Sequence, residues 1–559
     1  MRKLIALILI HLIFLINLLF LNSKSKELFF IKQEINGFIE DYFQRFIFQT
    51  NLDSTFDKLK SFYSIDSIYL QLEIDYNKKI VNGKERLILS LNPKGKSKYI
   101  ILDCGRNISI SKIFSKENGE LLFFQKKDFL FIKNLSSSKN IEIEIEYNFR
   151  FEDKFYKGFI FDEEKNHFYT LSEPNFAKYW YVCKEDPSDK FFARVEIIVP
   201  DKIKAVTNGL LIDTAYITEG LKKFVYQTKY PITHYLLFVA GGKYKIIQDY
   251  YRDDQTNRKI YIEHFVFEET AYRSKEDLEL IKVIYQRLKR FIGFYPFSDE
   301  LYGVVEISWP FGGMEHQTRS AISSVAFKGL YSAYSLQAHE FAHQWFGNTV
   351  TCKSWKDIWL NEGFATYFEQ LAYLNSNSLV EVDLPVNDFY GSVYKTHGFI
   401  FSQTVYDKGA WILEMLRNEI GDDVFFKIIN QYIEEYKFSN ASTEDFISLV
   451  NRVTQKDFTS FFDQWLFSRI DKPYYEISFN SEKRDNHYFC RVDLKQIQPE
   501  MIFKTNLNLR LIFDDGSIKE IKIFNNSTHQ ILFLTSDFKL IDVIIDPENK
   551  ILKSVIYKN

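Results

Sequence analysis

The stretch from His339 to His343 reads His-Glu-Phe-Ala-His, so two imidazoles stand four residues apart with a carboxylate directly after the first. Apolar spacing predicts a helix over about Tyr331–Phe346. Residues at i and i+4 lie one above the other on a helix face, about 6 Å apart along the axis, so both imidazoles can bind one metal ion. Glu340 is turned about 100° around the helix, where it can take a proton from an attacking water.

A third candidate ligand is Glu362, which eighteen residues separate from His343. Its surroundings predict a second helix over about Ile358–Leu374, and an antiparallel neighbouring helix would present this carboxylate to His339 and His343. Three protein ligands leave a fourth position open for water, as in catalytic zinc sites. We therefore predict one Zn²⁺ per chain. The alternative is a pair of core or surface histidines on an amphipathic helix.

Three further motifs accompany the zinc pattern. They are Gly312-Gly313-Met314-Glu315-His316, Tyr406-Asp407-Lys408-Gly409, and the segment from Glu173-Pro174 to Pro187. Together these motifs resemble those of the M1 metallopeptidases, the gluzincin family that includes aminopeptidase N and leukotriene A4 hydrolase. The resemblance covers roughly residues 65–559. The chain is similar to a short form of the family, which lacks the helical superhelix that follows the C-terminal β domain in larger members.

The resemblance implies a role for each motif. In the family, the glutamate at the position of Glu315 holds the free α-amino group of a peptide, and the segment at Glu173 adds a second acidic residue. Gly312, Gly313 and Met314 would then belong to the amine-binding site, and the Tyr406 hydroxyl would stabilise the oxyanion. Two positions depart from the family pattern, because His316 replaces the usual asparagine and Leu171 replaces a common glutamine.

The chemistry of these residues agrees with an aminopeptidase acting on peptides with a free N-terminus. Paired carboxylates bind a cationic amine through charge-assisted hydrogen bonds, and Glu315 with Glu173 would supply them. An endopeptidase of the thermolysin type shares the HExxH motif but needs no amine anchor. A third hypothesis is a non-catalytic, outward-facing peptide-binding module, which would not require Glu340 and Tyr406 together with the three metal ligands.

The elements that must position these residues predict an α+β multidomain fold. Residues 1–26 are predicted to be a signal peptide or membrane anchor, because Arg2 and Lys3 precede an apolar run over Leu4–Leu21. Residues 27–63 have helical spacing typical of a stalk. Residues 64–248 predict an N-terminal curved β domain, 249–472 a thermolysin-like, mostly helical catalytic domain, and 473–559 a C-terminal β-sandwich. The anchor hypothesis predicts a protein that is exported, either membrane-anchored facing outward or periplasmic or extracellular.

Local signals refine this organisation. Asn82-Gly83 predicts a hairpin turn between strands in the N-terminal β domain, and Asp515-Gly516 predicts another in the C-terminal domain. The spacing over about Tyr251–Arg290 predicts helix.

Composition sets the outer limits on function. The 559 residues exceed what one hydrophobic core usually holds, and 46% hydrophobic with 26% charged residues is typical of a folded globular protein. The net charge of -3 and the absence of a long basic run argue against a nucleic-acid partner. Four cysteines without CxxC spacing do not form a metal cluster. They could pair as disulfides in an exported protein or remain buried thiols.

Overall fold

The computed structural model describes residues 60–558, apart from 93–96, 135–138, 152–157, 254–256, 311, 374–381, 383 and 397–399. The predicted signal or anchor at 1–26 and the predicted stalk up to residue 59 lie outside the described residues. Within the described part of the chain, no helix combines the length and the apolar character needed to cross a membrane.

The described chain falls into two compact units. The first takes in the residues up to 380 together with 429–442, and it holds the HExxH motif, Glu173, Glu315 and Glu362. The second takes in the described residues from 382 to 428 and from 443 onwards, and it holds Tyr406.

The first unit begins with a region built almost entirely of strands. The strands are β1 Tyr63–Asp75, β2 Ile80–Leu91, β3 Tyr99–Asp103, β4 Ser109–Ser115, β5 Gly119–Glu120, β6 Phe123–Lys126, β7 Phe129–Lys133, β8 Asn140–Arg150, β9 Gly158–Asp162, β10 His167–Leu171, β11 Lys190–Pro200, β12 Lys204–Thr207, β13 Leu210–Thr218, β14 Leu221–Gln227, β15 Ile232–Thr233 and β16 Val239–Gly242. Buried residues alternate with partly buried ones in β1 and mostly with exposed ones in β8, as a sheet with one face on the core requires.

These strands form three sheets. A nine-stranded sheet has the order β13-β14-β11-β1-β2-β8-β4-β5, with β15 paired to β11. A four-stranded sheet has the order β12-β16-β10-β9, and a three-stranded sheet has the order β3-β7-β6. The long β1 strand pairs antiparallel with β2 and parallel with β11, so it lies at the centre of the large sheet.

The predicted hairpin turn at Asn82-Gly83 is wrong. Both residues lie inside β2, paired with Glu73 and Leu72 of β1, and the chain turns earlier, where Lys79 adopts a positive φ of 54°. Gly83 has a different reason to be glycine, because a Cβ there would lie 2.2 Å from the Tyr147 ring. The glycine therefore admits an aromatic side chain of the neighbouring strand, a use that sequence alone does not distinguish from a turn.

A mixed five-stranded sheet follows in the first unit. Its strands are β17 Tyr244–Arg252, β18 Lys259–Phe267, β19 Gly303–Ile307, β20 Gly313–Met314 and β21 Arg319–Ser323, in the order β17-β18-β19-β21-β20. The predicted helix over Tyr251–Arg290 is therefore wrong in its first part. Ile260 and Ile262 alternate with more exposed residues and pair with β17, and Phe265 pairs with β19, so strand pairing outweighs the helical spacing.

Helices complete the first unit and carry the HExxH motif. They are α1 Glu268–Arg273, α2 Lys275–Ile292, α3 Tyr334–Ala342 and α4 Trp359–Ala372. Short strands β22 Val350–Cys352 and β23 Ser439–Ala441 pair in parallel. Thus α3 is shorter than the predicted Tyr331–Phe346 helix, and α4 nearly fills the predicted second one.

The second unit contains helices and then only strands. The helices are α5 Gly409–Ile420, α6 Asp422–Tyr436, whose end belongs to the first unit, α7 Thr443–Thr454 and α8 Thr459–Phe462. The strands are β24 Tyr474–Arg484, β25 His487–Gln496, β26 Thr505–Phe513, β27 Ile518–Asn525, β28 His529–Ser536, β29 Leu540–Ile545 and β30 Ser554–Tyr557.

The C-terminal strands form two sheets, β28-β25-β24-β30 and β27-β26-β29, that share one hydrophobic core. The predicted turn at Asp515-Gly516 is confirmed, because it joins β26 to β27 and Gly516 has a φ of 82°. The α+β multidomain class is confirmed, with strands at the N-terminus, a helical region with a mixed sheet, and paired C-terminal sheets. The four cysteines are free thiols, all buried.

Candidate active site

The helix α3 and the turn after it place the HExxH residues. His339 and Glu340 lie in the last turns of α3, and His343 follows directly as its C-terminal cap. The chain then turns at Gly347, whose φ of 118° favours glycine. A Cβ on Gly347 would lie 3.2 Å from His343 Nδ1, so the glycine also gives the imidazole room.

The three predicted metal ligands converge. His343 Nε2 lies 3.1 Å from His339 Nε2 and 3.3 Å from Glu362 Oε2, and His339 Nε2 lies 3.5 Å from the same oxygen. A tetrahedral zinc ion with bonds of about 2.0–2.1 Å needs donor atoms about 3.3 Å apart. The two imidazoles and the carboxylate therefore fit one face of a zinc tetrahedron.

Contacts on the far side of each imidazole fix its orientation. His343 Nδ1 lies 2.9 Å from the carbonyl oxygen of Phe346, so this nitrogen donates and leaves Nε2 with its lone pair. His339 Nδ1 lies 3.2 Å from Glu369 Oε2, and the other oxygen of Glu369 accepts from Ser335 Oγ. A carboxylate in this position orients a ligating histidine and raises its basicity.

Glu369 is a residue that the sequence analysis missed. It lies seven residues after Glu362 on α4, which is about two helical turns, so both carboxylates point toward α3. That spacing is a usable signal in the sequence, because a zinc histidine usually has an acidic or carbonyl partner.

A second group of acidic residues adjoins the metal ligands. Glu173, Glu315 and Glu362 each offer a carboxylate oxygen, and these oxygens lie within 4.8 Å of one another. The Oε1 atoms of Glu173 and Glu315 are buried and have no hydrogen-bond partner among the described residues. Burial, followed by the charge of Glu315, raises the pKa of Glu173 well above its usual value, and burial also raises that of Glu315.

The backbone on either side of Glu315 holds the acidic group in place. Glu315 follows the edge strand β20, and its carbonyl oxygen accepts from Asn348 Nδ2 at 2.7 Å. Lys190 Nζ in turn donates to the carbonyl oxygens of Asn348 at 2.7 Å and Thr349 at 3.1 Å. Glu173 follows β10, in a segment where His234 Nε2 lies 3.2 Å from the carbonyl oxygen of Pro174.

The glycines of the predicted amine-binding motif lie against the HExxH helix. Gly312 has a φ of 49°, and Gly313 and Met314 pair with β21. A Cβ on Gly313 would lie 2.5 Å from Glu340 Oε1, so the β20 backbone passes directly over the predicted base. Glu340 itself is buried, its Oε2 has no partner among the described residues, and burial raises its pKa to about 8.

His316 and Leu171, the two departures from the family pattern, are both buried. The His316 ring stacks on Phe238 with centroids 4.3 Å apart, and neither ring nitrogen has a hydrogen-bond partner within the described chain. Burial lowers the pKa of His316 to about 3, so this side chain is neutral near neutral pH.

Tyr406 belongs to the second unit. It lies half-buried in the π-helical turn Thr404–Lys408 that leads into α5, and its predicted role at the oxyanion stays a prediction. The other predicted site residues belong to the first unit, where the structure brings Glu173, Glu315 and Glu340 to the three metal ligands.

Two family models match the chain. The Peptidase family M1 domain matches residues 281–395 and 392–465, and the Peptidase M1 N-terminal domain matches residues 60–236. Together they cover most of the first unit and part of the second.

Curated relatives are similar over most of this chain. "Probable aminopeptidase 1" of Sulfurisphaera tokodaii is 26% identical over 496 residues, which are 80% of this chain and 59% of the relative. The glutamyl aminopeptidase of Rattus norvegicus is 24% identical over 66% of this chain and 41% of its own length. The chain thus spans about three fifths or less of the length of these relatives.

Solved structures share the fold. Legionella pneumophila aminopeptidase A, in complex with aspartic acid, superposes with a TM-score of 0.78 and 17% identity, over 89% of this chain and 60% of the other. A mutant M1 zinc metallopeptidase of Deinococcus radiodurans, bound to a Tyr-Ser-Ala substrate, gives a TM-score of 0.61 and 20% identity, over 73% of this chain and 94% of the other. On these matches and on the geometry of its HExxH and acidic residues, the chain belongs to peptidase family M1.

Proposed function

We propose that this protein is a zinc-dependent aminopeptidase that removes the N-terminal residue of peptides. The observation that carries the proposal is the position of Glu173 and Glu315 beside the three metal ligands, with which they share Glu362. Each has a buried Oε1 atom without a hydrogen-bond partner among the described residues, and Glu315 Oε1 lies 4.0 Å from His343 Nδ1. A metal site alone fits many hydrolases. An adjoining anionic pair fits a substrate whose positive charge lies next to the bond that is cut.

The acidic pair would bind the substrate's α-ammonium group. A buried carboxylate without a partner is costly, and charge-assisted hydrogen bonds from an ammonium group offset that cost. The arrangement favours a free amine over an acetylated one, because an amide nitrogen carries no charge and has one hydrogen to donate. Free-amine peptides are therefore the proposed substrate class.

His339, His343 and Glu362 would hold one zinc ion per chain. When bound, zinc would polarise the scissile carbonyl group and make water more acidic. Glu340 lies under the β20 backbone and would take the proton of the attacking water and return it to the leaving amine.

Tyr406 is proposed as the hydrogen-bond donor to the oxyanion. The support is its motif, which is similar to the family's Tyr-x-Lys-Gly stretch, and its half-buried position in a turn before α5. A donor aimed at the developing negative charge commonly contributes about 10²- to 10³-fold to the rate.

We also propose that the protein acts outside the cytoplasm. The support is the basic start of the chain and the apolar run over Leu4–Leu21, which is near the length that spans a bilayer. The enzyme would then face outward, either anchored or released.

The test is hydrolysis of a panel of aminoacyl anilides by the detergent-solubilised full chain. The panel includes acidic, basic and apolar residues, each with its N-acetylated counterpart, and the assay is repeated with a chelator and with added zinc. Glu340→Gln is compared with Glu85→Gln, a matched control in which another buried carboxylate, one that accepts from the Val182 backbone, loses its charge.

The proposal predicts cleavage of free-amine substrates only, with loss of activity in chelator, recovery with zinc, and a fall of about 10²- to 10⁴-fold in Glu340→Gln but not in Glu85→Gln. Cleavage of acetylated peptides at internal bonds would indicate an endopeptidase instead. Peptide binding without turnover by the zinc-loaded protein would indicate a binding module.

A further inference from the structure

The small three-stranded sheet of the N-terminal β region has a buried aliphatic face and a second face that is exposed only in part, since Ile101, Asp103 and Phe131 on it are buried. Its strands are β3, β7 and β6, and their register places Tyr99 opposite Lys133, Ile101 opposite Phe131, and Phe124 opposite Phe131. The inward face is buried and consists of aliphatic residues such as Ile100, Leu102, Leu130 and Ile132. Three cross-strand rows make up the other face: Tyr99, Lys133 and Leu122; Ile101, Phe131 and Phe124; Asp103, Phe129 and Lys126. We call these nine residues the aromatic–basic face.

Part of the aromatic–basic face is an apolar cluster in which Leu122 and Phe124 are exposed and Phe131 is buried. The rings of Phe124 and Phe131 stack with centroids 4.7 Å apart, and the Tyr99 ring lies 5.6 Å from that of Phe124. Leu122 is 70% exposed and Phe124 45% exposed. Large apolar side chains exposed together in this way mark a surface that binds something apolar.

The rim of the face is basic. Lys126 and Lys133 belong to its rows, Lys98 lies 5.7 Å from the Tyr99 ring centroid, and the exposed Lys127 follows Lys126 in the turn to β7. Asp103, the one carboxylate in the nine residues, accepts from Lys60 Nζ at 2.7 Å, so its charge is balanced. The face therefore combines exposed apolar side chains, among them the Phe124 ring, with lysines that form no ion pair within the described part of the chain.

The chain enters the described structure at this same face. Lys60 is the first described residue, and besides its bond to Asp103 its ammonium group lies 5.4 Å from the Phe129 ring centroid. The apolar run over Leu4–Leu21 precedes Lys60 by 38 residues, 22 to 59. The run and Lys60, which contacts this face, are therefore joined by 38 residues of chain.

We propose that the aromatic–basic face docks on the headgroup region of an anionic lipid bilayer. Aromatic and leucine side chains enter the boundary between headgroups and acyl chains, while lysines contact lipid phosphates. A protein partner with an apolar, acidic surface would match the same charges, but the apolar run over Leu4–Leu21 in the same chain favours a membrane. The proposal draws on the proposed membrane anchor, and the experiment below separates the two.

The experiment places a fluorescent bimane label on the full chain at Leu122→Cys. The four native cysteines are buried, so a surface cysteine can be labelled selectively. The control label is at Tyr216→Cys, which is 69% exposed on β13, the edge strand at the opposite end of the large sheet from β4 and β5. The labelled chains are mixed with vesicles of phosphatidylcholine, or of phosphatidylcholine with phosphatidylglycerol, that contain brominated lipid as quencher.

Docking predicts strong quenching at position 122 that increases with phosphatidylglycerol, and little quenching at position 216. Each lysine near an anionic surface contributes about fivefold, so Lys126→Gln with Lys133→Gln should lower the ratio of docked to undocked protein by about 25-fold. The matched control is Lys245→Gln with Lys259→Gln, two exposed lysines on β17 and β18, which should leave quenching unchanged.

Several outcomes would overturn the proposal. They are equal quenching at positions 122 and 216, quenching at 122 that ignores phosphatidylglycerol, and equal loss in both lysine pairs. Flotation of the chain with neutral vesicles tests the anchor separately. If the chain floats but position 122 is not quenched, the anchor stands and the docking face fails. If the chain floats only with anionic vesicles and position 122 is quenched, the docking face stands and the anchor fails.

Discussion

The candidate site has two halves that share Glu362, and they differ in the charges that surround its buried carboxylate. On one side, His339 and His343 surround its carboxylate at 3.5 and 3.3 Å. Burial alone would raise the pKa of Glu362, but the two histidines outweigh burial and bring it to about 2. On the other side, Glu173 and Glu315 add negative charge, and burial with mutual repulsion raises the pKa of Glu173.

The two halves differ in the kind of cation that each could bind. The histidine half combines bases and an acid at distances that suit a small dication, and the proposed zinc ion would balance its charges. The acidic half has oxygens without hydrogen-bond partners within the described chain. Under the proposed function, a substrate ammonium group would supply those partners.

Replacing the shared carboxylate should have the largest effect. In Glu362→Gln a neutral amide replaces the anionic ligand, so we expect loss of bound zinc and a fall in kcat/KM of roughly a thousandfold or more. Metal content after dialysis and anilide hydrolysis measure the two effects. Full zinc occupancy in this variant would contradict the proposed ligand set.

Glu315→Gln should separate the two halves. The variant keeps the three metal ligands, so zinc content should not change, while loss of a charge-assisted hydrogen bond to the ammonium group lowers kcat/KM for free-amine substrates by about 100-fold. N-acetylated substrates, which the parent is expected not to cleave, should stay at background in the variant. If zinc content falls with activity, Glu315 belongs to the metal half, and the division of the site into two halves is wrong.

Glu369→Gln should weaken metal binding without removing the site. The amide cannot orient His339 or raise its basicity as the carboxylate does, so we expect zinc affinity to fall about 10- to 100-fold. Chelator competition measures that affinity, and kcat at saturating zinc should stay within a few-fold of the parent. Glu434→Gln, at an exposed site on α6, is the control. An unchanged zinc affinity would show that the contact with His339 is incidental.

His316→Asn tests whether the His316 ring adds a positive charge next to Glu315. The pKa of His316 is lowered by burial to about 3, so the ring stays neutral and the pH profile of kcat/KM should match that of the parent. In the unfolded chain His316 takes up a proton as pH falls below about 6.5, whereas in the folded chain it stays neutral. The parent therefore loses unfolding free energy as pH falls. Between pH 7 and pH 5 the parent should lose about 2 kcal/mol of unfolding free energy relative to the variant. Denaturant unfolding at both pH values measures this, and a shifted acid limb of activity would refute the neutral ring.

The metal half was predictable because its geometry is local. Spacing alone places His339 and His343 on one helix face, and the second predicted helix, Ile358–Leu374, is found as α4 with Glu362 in its first turn. The acidic half depended on family resemblance, because no local pattern brings Glu173 and Glu315 together. Their roles and that of Tyr406 stay predictions.

The errors in the fold arose where tertiary packing outweighs local preference. Gly83 is glycine because the Tyr147 ring occupies the space of its Cβ, and that reason lies 64 residues away in the sequence. The strand β18 has apolar residues that local spacing assigned to a helix, and only its partners β17 and β19 decide the matter. Domain boundaries at 63/64, 248/249 and 472/473 remain predictions.

The hydrogen bonds from Lys190 to the carbonyl oxygens of Asn348 and Thr349 have a consequence for the order of folding. They join residues that are 158 and 159 positions apart in the sequence. The Asn348 side chain in turn donates to the Glu315 carbonyl oxygen. Contacts of such long range form late, because the loop that they close costs entropy before any contact repays it. A chain cut between Lys190 and Asn348 could keep the HExxH helix and yet lose the donor that holds the Asn348 and Thr349 carbonyl groups. Under the proposed function, such cut chains should be poorer peptidases than the intact chain.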